Sequence, residues 1–424
     1  MTHRSTPVIA LAAALASALA LTGCSTSGPD SARSSATASA SAESVVVGTI
    51  DPPAGIEGLE ALGLSKATLS VETEPHLSNY SESGLTYVEP RTDPAADLVV
   101  HHVAWDGTEQ WTGTVPVPAE GDPSLHTPVL SYDDSLGLVS YWFTTDTWEE
   151  SDSSARSRTH RLSSPVHWFD TATGQGGSEE ITPDQGLVPM SASTLVGAIS
   201  VNEQTGQGSA VTWMDSAHTF QHRTFGELGG QDGQNVNIRP WQGSMVVMTK
   251  DSPDGTESLL VDGTEVVSDL GPEASVWVLP GHYLALDASS SRLLSITRAG
   301  AEPLDLQGCP VSLDGGLAGS STNGYTYIGQ YLISPDQSSS CQSEAIGSGT
   351  ETINGVLSDG SLLIRSASGD TYTHRLRTAE GASVDLPQGS VFDPRGGHLV
   401  YTVPGDGVST VTAFSEEDLE VQGS

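Results

Sequence analysis

Past residue 64, apolar side chains come in short runs separated by turn residues, and no sustained 3.6-residue period appears. Alternation over a few residues buries one face of a strand. The best-formed run is Val166-His167-Trp168-Phe169-Asp170-Thr171-Ala172-Thr173-Gly174, an apolar strand entering a tight turn. Asp favours such a turn by bonding its own backbone, and Gly supplies the positive φ that closes a short hairpin. Looser copies lead from 99–107 to 111–115, from 210–215 to 220–225 and from 259–263 to 266–267. Two more lead from 293–300 to 304–306 and from 372–381 to 384–386. Further strand-like runs precede these hairpins at 136–144, 195–201, 244–250, 283–287 and 361–364.

Four strands per unit, repeated radially, predict an all-β fold of the β-propeller type over 45–424. Eight units are counted, or seven if the irregular stretch 310–346 is an insertion in its neighbour. The last unit, 391–414, shows three strands, and 45–50 is the predicted fourth, which closes the ring. Segment 145–164 reads as a long polar insertion in the second unit, with a disordered loop as the alternative. It holds the candidate binding residues Trp148, Arg156, Arg158 and His160, because long rim loops are where binding concentrates.

The N-terminus changes the picture from fold to address. His3 and Arg4 precede an Ala/Leu-rich stretch from Val8 to Leu21, too short to span a bilayer comfortably. It ends in Leu21-Thr22-Gly23-Cys24. This resembles the lipobox of bacterial lipoproteins, which implies a signal peptide over 1–23 and a lipidated Cys24. A plain secretory signal with an incidental cysteine is the alternative. Two or three acyl chains hold a protein stably, where one does not. Residues 24–44 then form a Ser/Ala/Thr tether with too few large apolar side chains to bury a core, spanning on the order of 25 Å when flexible. The expected location is the outer face of the cell membrane, reached through the anchor alone.

With Cys24 assigned to lipid, Cys309 and Cys341 are left as a pair in an oxidising compartment. A disulfide is predicted, with two separate buried thiols as the alternative. Lys and Arg number 16 against 53 Asp and Glu, a formal charge of −37. Such a surface repels phosphate backbones and anionic headgroups, so nucleic acid is not an expected partner.

The run at Trp168-Phe169-Asp170-Thr171-Ala172-Thr173-Gly174 resembles the repeat of quinoprotein-type (PQQ-like) propellers. Trp105-Asp106-Gly107-Thr108 to Trp111 fits that repeat in part, with Trp111 where such repeats place a docking tryptophan. The adjacent cysteines of the quinoprotein dehydrogenases are absent, since Cys309 and Cys341 lie far apart in the chain. The resemblance therefore implies the non-catalytic branch, in which propellers serve as scaffolds or binding modules.

Searches for chemistry return little. His101 and His102 are neighbours on a strand, point to opposite faces and do not share an ion. No zinc-like spacing, nucleophile elbow or phosphate-cradling loop occurs. Tyr132-Asp133-Asp134 and 230–235 read as plain turns rather than calcium loops. Trp105, Trp168 and Trp213 read as packing between units rather than a ligand cage. The expectation is a monomeric binding or scaffold module for a protein or envelope polymer, with no catalytic residues, cofactor or metal. A propeller enzyme, quinoprotein-like oxidoreductase or glycan hydrolase or lyase, is the alternative.

Overall fold

In the computed structural model the described residues run from 45 to 419. Short stretches are excepted, the longest being 52–61, 150–156, 230–236, 251–256, 310–317 and 343–350. The signal segment and the tether, and Cys24 with them, lie outside the described residues.

The described chain is almost entirely antiparallel strand, hydrogen-bonded into seven sheets. Five of them are four-stranded meanders, over 78–115, 237–270, 275–304, 318–341 and 351–385. A nine-stranded sheet spans 126–224, and a five-stranded sheet joins the two ends of the chain. Apolar layers join neighbouring units. Val100 and Trp111 meet Val139 and Phe169. Trp142 and Val166 meet Ala198. Val267 meets Val276, Leu286 meets Tyr331, and Leu332 meets Ile353. Leu376 meets Leu399, and Val400 meets Leu85. This sheet-on-sheet succession is the propeller that alternation predicts, since the faces of each sheet bury against neighbouring blades. First strands of successive sheets lie side by side around the axis: Trp241 and its strand beside Ser275–Leu279, then Ala318–Ser320, Glu351–Val356 and Phe392–Arg395.

Counted by sheets the ring has seven members, and counted by four-stranded meanders it has eight. The source of the ambiguity differs from the predicted one. Stretch 318–341 is a sheet of its own with strands of three residues. The fusion lies instead in the nine-stranded sheet. There, Ser157–Leu162 joins the meander over 126–179 to the meander over 187–224 by pairing with a strand of each.

Closure by the N-terminal segment holds, with a correction to which strand does it. Ala67–Thr73 pairs with Ser409–Ser415 and is the fourth strand of the last unit. Val45–Ile50 pairs with Ala67–Thr73 as an additional fifth strand on the outside. The alternating burial of 67–73 explains the choice: Ala67, Leu69, Val71 and Thr73 are buried, so this strand has a face to bury.

Cys309 and Cys341 form a disulfide with Cα atoms 5.3 Å apart. It ties the outer strand Ser339–Cys341 to the segment leaving the preceding sheet, beside Tyr331 and Ile333.

Candidate functional site

The segment predicted as an irregular polar insertion is a β-ribbon. Leu138–Glu149 runs for twelve residues, although the strands beside it in its meander need only four to eight. Its first half pairs with Val166–Asp170 on one edge. Its second half pairs on that same edge with Ser157–Leu162. A bond from Ser163 N to Phe143 O, 2.8 Å, makes the two pairings continuous. Thr145, Thr147 and Thr159 supply β-branched residues where the ribbon leaves the blade.

The ladder sets Trp148 opposite Arg158 and Asp146 opposite His160. Strand alternation puts these four positions on one face of the ribbon. Three of the four candidate binding residues thus take neighbouring backbone positions in the ladder, and Arg156 lies outside the described residues. Arg161, one residue beyond His160, pairs in register with Met190 of the next meander, so the ribbon leans onto its neighbour.

The root of the ribbon is held by polar contacts that sequence reasoning did not single out. His126 Nδ1 lies 2.9 Å from Ser163 Oγ, and its ring meets Phe143 edge-on. Ser164 Oγ accepts from Phe143 N at 2.9 Å. Arg91 stands 5.9 Å above the Phe143 ring. Its guanidinium donates twice to Glu74, at 2.8 and 2.7 Å, with both side chains mostly buried. Bidentate geometry of this kind fixes a loop in place.

A second polar cluster sits on channel-side strands. Asp393 and Arg395 pair at 3.5 Å on Phe392–Arg395, and they stay 40% and 28% exposed. Tyr80, which is hydrogen-bonded to Thr402, feels both charges. So does Tyr327, which donates to Asn354 O at 2.9 Å. Partial desolvation raises the half-buried Asp393 carboxyl against the opposing pull of Arg395. Burial, then Asp393, pushes Tyr327 up to about 12. Residues from three sequence-distant units contribute, and no local motif marks them.

The histidine pair behaves as alternation requires. His101 stacks on Tyr87 and places Nδ1 3.1 Å from Glu109 and Nε2 3.6 Å from Glu89. His102 stacks on Trp111 and bonds Thr86 at 2.9 Å on the other face. Among the described residues no set of three His, Cys, Asp or Glu side chains is arranged to hold a metal. Asp133 accepts from Leu136 N as a turn residue, while Asp134 and 230–235 lie outside the described residues.

The tryptophans pack between units. Trp105 donates to Glu82 O and stacks on His398. Trp213 donates to Gly243 O, and Trp168 meets His218 edge-on. The Trp111 indole N–H donates to Thr171 O at 3.0 Å, inside the turn of the best-formed run.

No family model matches the chain, and no curated protein matches its sequence. Among solved structures it is similar to an oligogalacturonate lyase in complex with manganese, at 11% identity and TM-score 0.36 over 88% of this chain and 98% of that one. A catalytically inactive virginiamycin B lyase from Staphylococcus aureus gives 9% and 0.32 over 68% and 99%. A eukaryotic initiation factor gives 12% and 0.34 over 78% and 81%. At these scores the likenesses carry no argument about activity.

Proposed function

We propose that the chain is a lipid-anchored, extracytoplasmic propeller that acts as a binding or scaffold module for a protein or cell-envelope partner. The observation that carries this reading is the ribbon of Leu138–Glu149 and Ser157–Leu162. Its ladder runs on past Val166–Asp170 as far as Glu149 and Ser157, and its base is held by His126 and Ser163. An element built beyond the needs of the core, with Trp148 opposite Arg158, suits recognition, since Trp and Arg dominate protein-binding hot spots. Attachment rests on the sequence at Leu21 to Cys24.

The test is capture. Full-length chain, immobilised, is exposed to a cell-envelope extract beside a Trp148→Ala/Arg158→Ala variant. Recovery of a partner by the parent and its loss in the variant is the expected result. Equal recovery by both moves binding away from the ribbon, and no recovery together with turnover of a glycan panel overturns the reading.

A second reading, a glycan hydrolase or lyase, draws on the channel cluster. An Asp393–Arg395 pair facing tyrosines from two other units offers a proton donor and an acceptor side by side. Loss of turnover in Asp393→Asn on that same panel is its check.

A further inference from the structure

The outer rim carries a feature unrelated to the ribbon. Thr264–Leu270 and Gly300–Leu304 are the last strands of adjacent sheets, and among the described residues each is hydrogen-bonded along one edge only. Between them lies a groove of about 370 Å³. Its floor is apolar, made by Val266, Leu294, Ala301 and Pro303, and its rim carries Glu265 and Asp269. Val266 and Ala301 pack on the core shared by the two sheets, so the floor is backed by rigid structure.

The two walls are not equivalent. Pro303 has no backbone N–H to offer, which blunts that edge. Thr264–Leu270 has no proline, and its register slips twice against Glu257–Val261. These bulges bend the strand, so the main-chain groups open to pairing are those on its outer edge, which among the described residues has no ladder partner.

Charge selects the occupant. Arg292, the cation of the groove, donates to Asp269 O at 3.2 Å and lies 3.6 Å from its carboxylate. Glu265 is exposed, and Glu302 is exposed on the facing strand. A second copy of this chain carries the same charge of −37 and has only Lys66 and Lys250 as lysines, so self-association along this edge is repelled.

We propose that this groove docks an extended cationic peptide segment of a partner protein. The segment adds a strand to Thr264–Leu270, lays small apolar side chains on Val266 and Ala301, and turns lysine or arginine side chains toward Glu265. Alternation makes this division automatic, because successive residues of an extended segment face opposite ways. The site is independent of the ribbon, so either assignment stands or falls alone.

The test is fluorescence anisotropy of a labelled peptide alternating lysine and valine, titrated with the full chain. The expected result is saturable binding that weakens about tenfold in Ala301→Trp, which fills the floor without changing charge. Glu265→Lys, at an exposed position that leaves the core intact, weakens it by a similar factor. A peptide N-methylated at alternate residues binds no better than a glutamate–valine control, and the ribbon variant Trp148→Ala/Arg158→Ala binds as the parent does. Unchanged affinity in Glu265→Lys overturns the proposal. So does equal binding of the N-methylated peptide, or non-saturable binding that salt removes equally from every variant.

Discussion

At the scale of single residues, the turn at Asp170 to Gly174 shows how a local motif becomes a joint between blades. Asp170 accepts from Ala172 N, Thr173 N and Thr173 Oγ1. Gly174 has φ +68°, and a Cβ there meets Trp111 Cγ at 2.6 Å. Gly174→Ala is therefore strained and clashes at once. Trp111 also stacks on Phe169 and His102, so Trp111→Ala costs about 3–5 kcal/mol in a denaturant titration. His102 gives a prediction in pH. Burial pushes its imidazole down to about 4 from an ordinary 6.5. Between those values the unfolded chain holds a proton that the folded chain does not. The contribution is whole above pH 6.5 and is lost as pH falls toward 4, about 3 kcal/mol in all. Burial shifts His167 and His374 the same way. His102→Gln flattens the fall of the urea midpoint between pH 7 and pH 5; an unchanged slope assigns that fall to other groups. The turn chemistry was legible in the sequence because it acts over three or four residues. The burial of His102 was not, because it depends on Trp111 and Thr86 from neighbouring strands.

At the scale of elements, closure of the ring and the disulfide are separable. Ala67–Thr73 holds the closing position and Val45–Ile50 only extends it. Deleting 45–50 lowers the melting temperature by only about one to two degrees, as loss of about 1 kcal/mol does in a domain of this size. Leu69→Asp, which places a charge in a shared core, removes the cooperative transition. Comparable melts for the two variants refute this division of labour. The Cys309–Cys341 bridge closes a loop with a sequence separation of 32. Its removal in Cys309→Ser/Cys341→Ser lowers stability by about 3–4 kcal/mol in the chain-entropy model. Reductant brings the parent down to the same value, and a parent indifferent to reductant contradicts the assignment. The strand runs themselves were visible from alternation. Segment 145–164 was not seen as a ribbon, because polar residues alternating with polar residues leave no period to detect.

At the scale of the whole molecule, a charge of −37 and two lysines describe a surface that holds itself off other anions. The anchor proposed at Cys24 then accounts for any membrane association. Cys24→Ser is expected to move the chain from the membrane fraction to the soluble fraction and to abolish incorporation of labelled palmitate; retention in the membrane with no label refutes lipid anchoring. Ribbon, channel cluster and rim groove lie on separate parts of one ring. Partner capture, glycan turnover and peptide binding thus report on different residues.

What the sequence determined by itself was the kind of element and how it is punctuated. Alternating burial at 111–115 and the Asp-led turns at 170–174 and 215–218 are interactions between near neighbours, so they are written where they act. The tertiary structure alone decided which strand lies beside Ser409–Ser415, that Ser157–Leu162 bridges two meanders, and that Tyr80, Tyr327, Asp393 and Arg395 converge. Each of these is a choice of register or neighbour between segments far apart in the chain. It is settled by which apolar faces bury together, and no short run of residues encodes that.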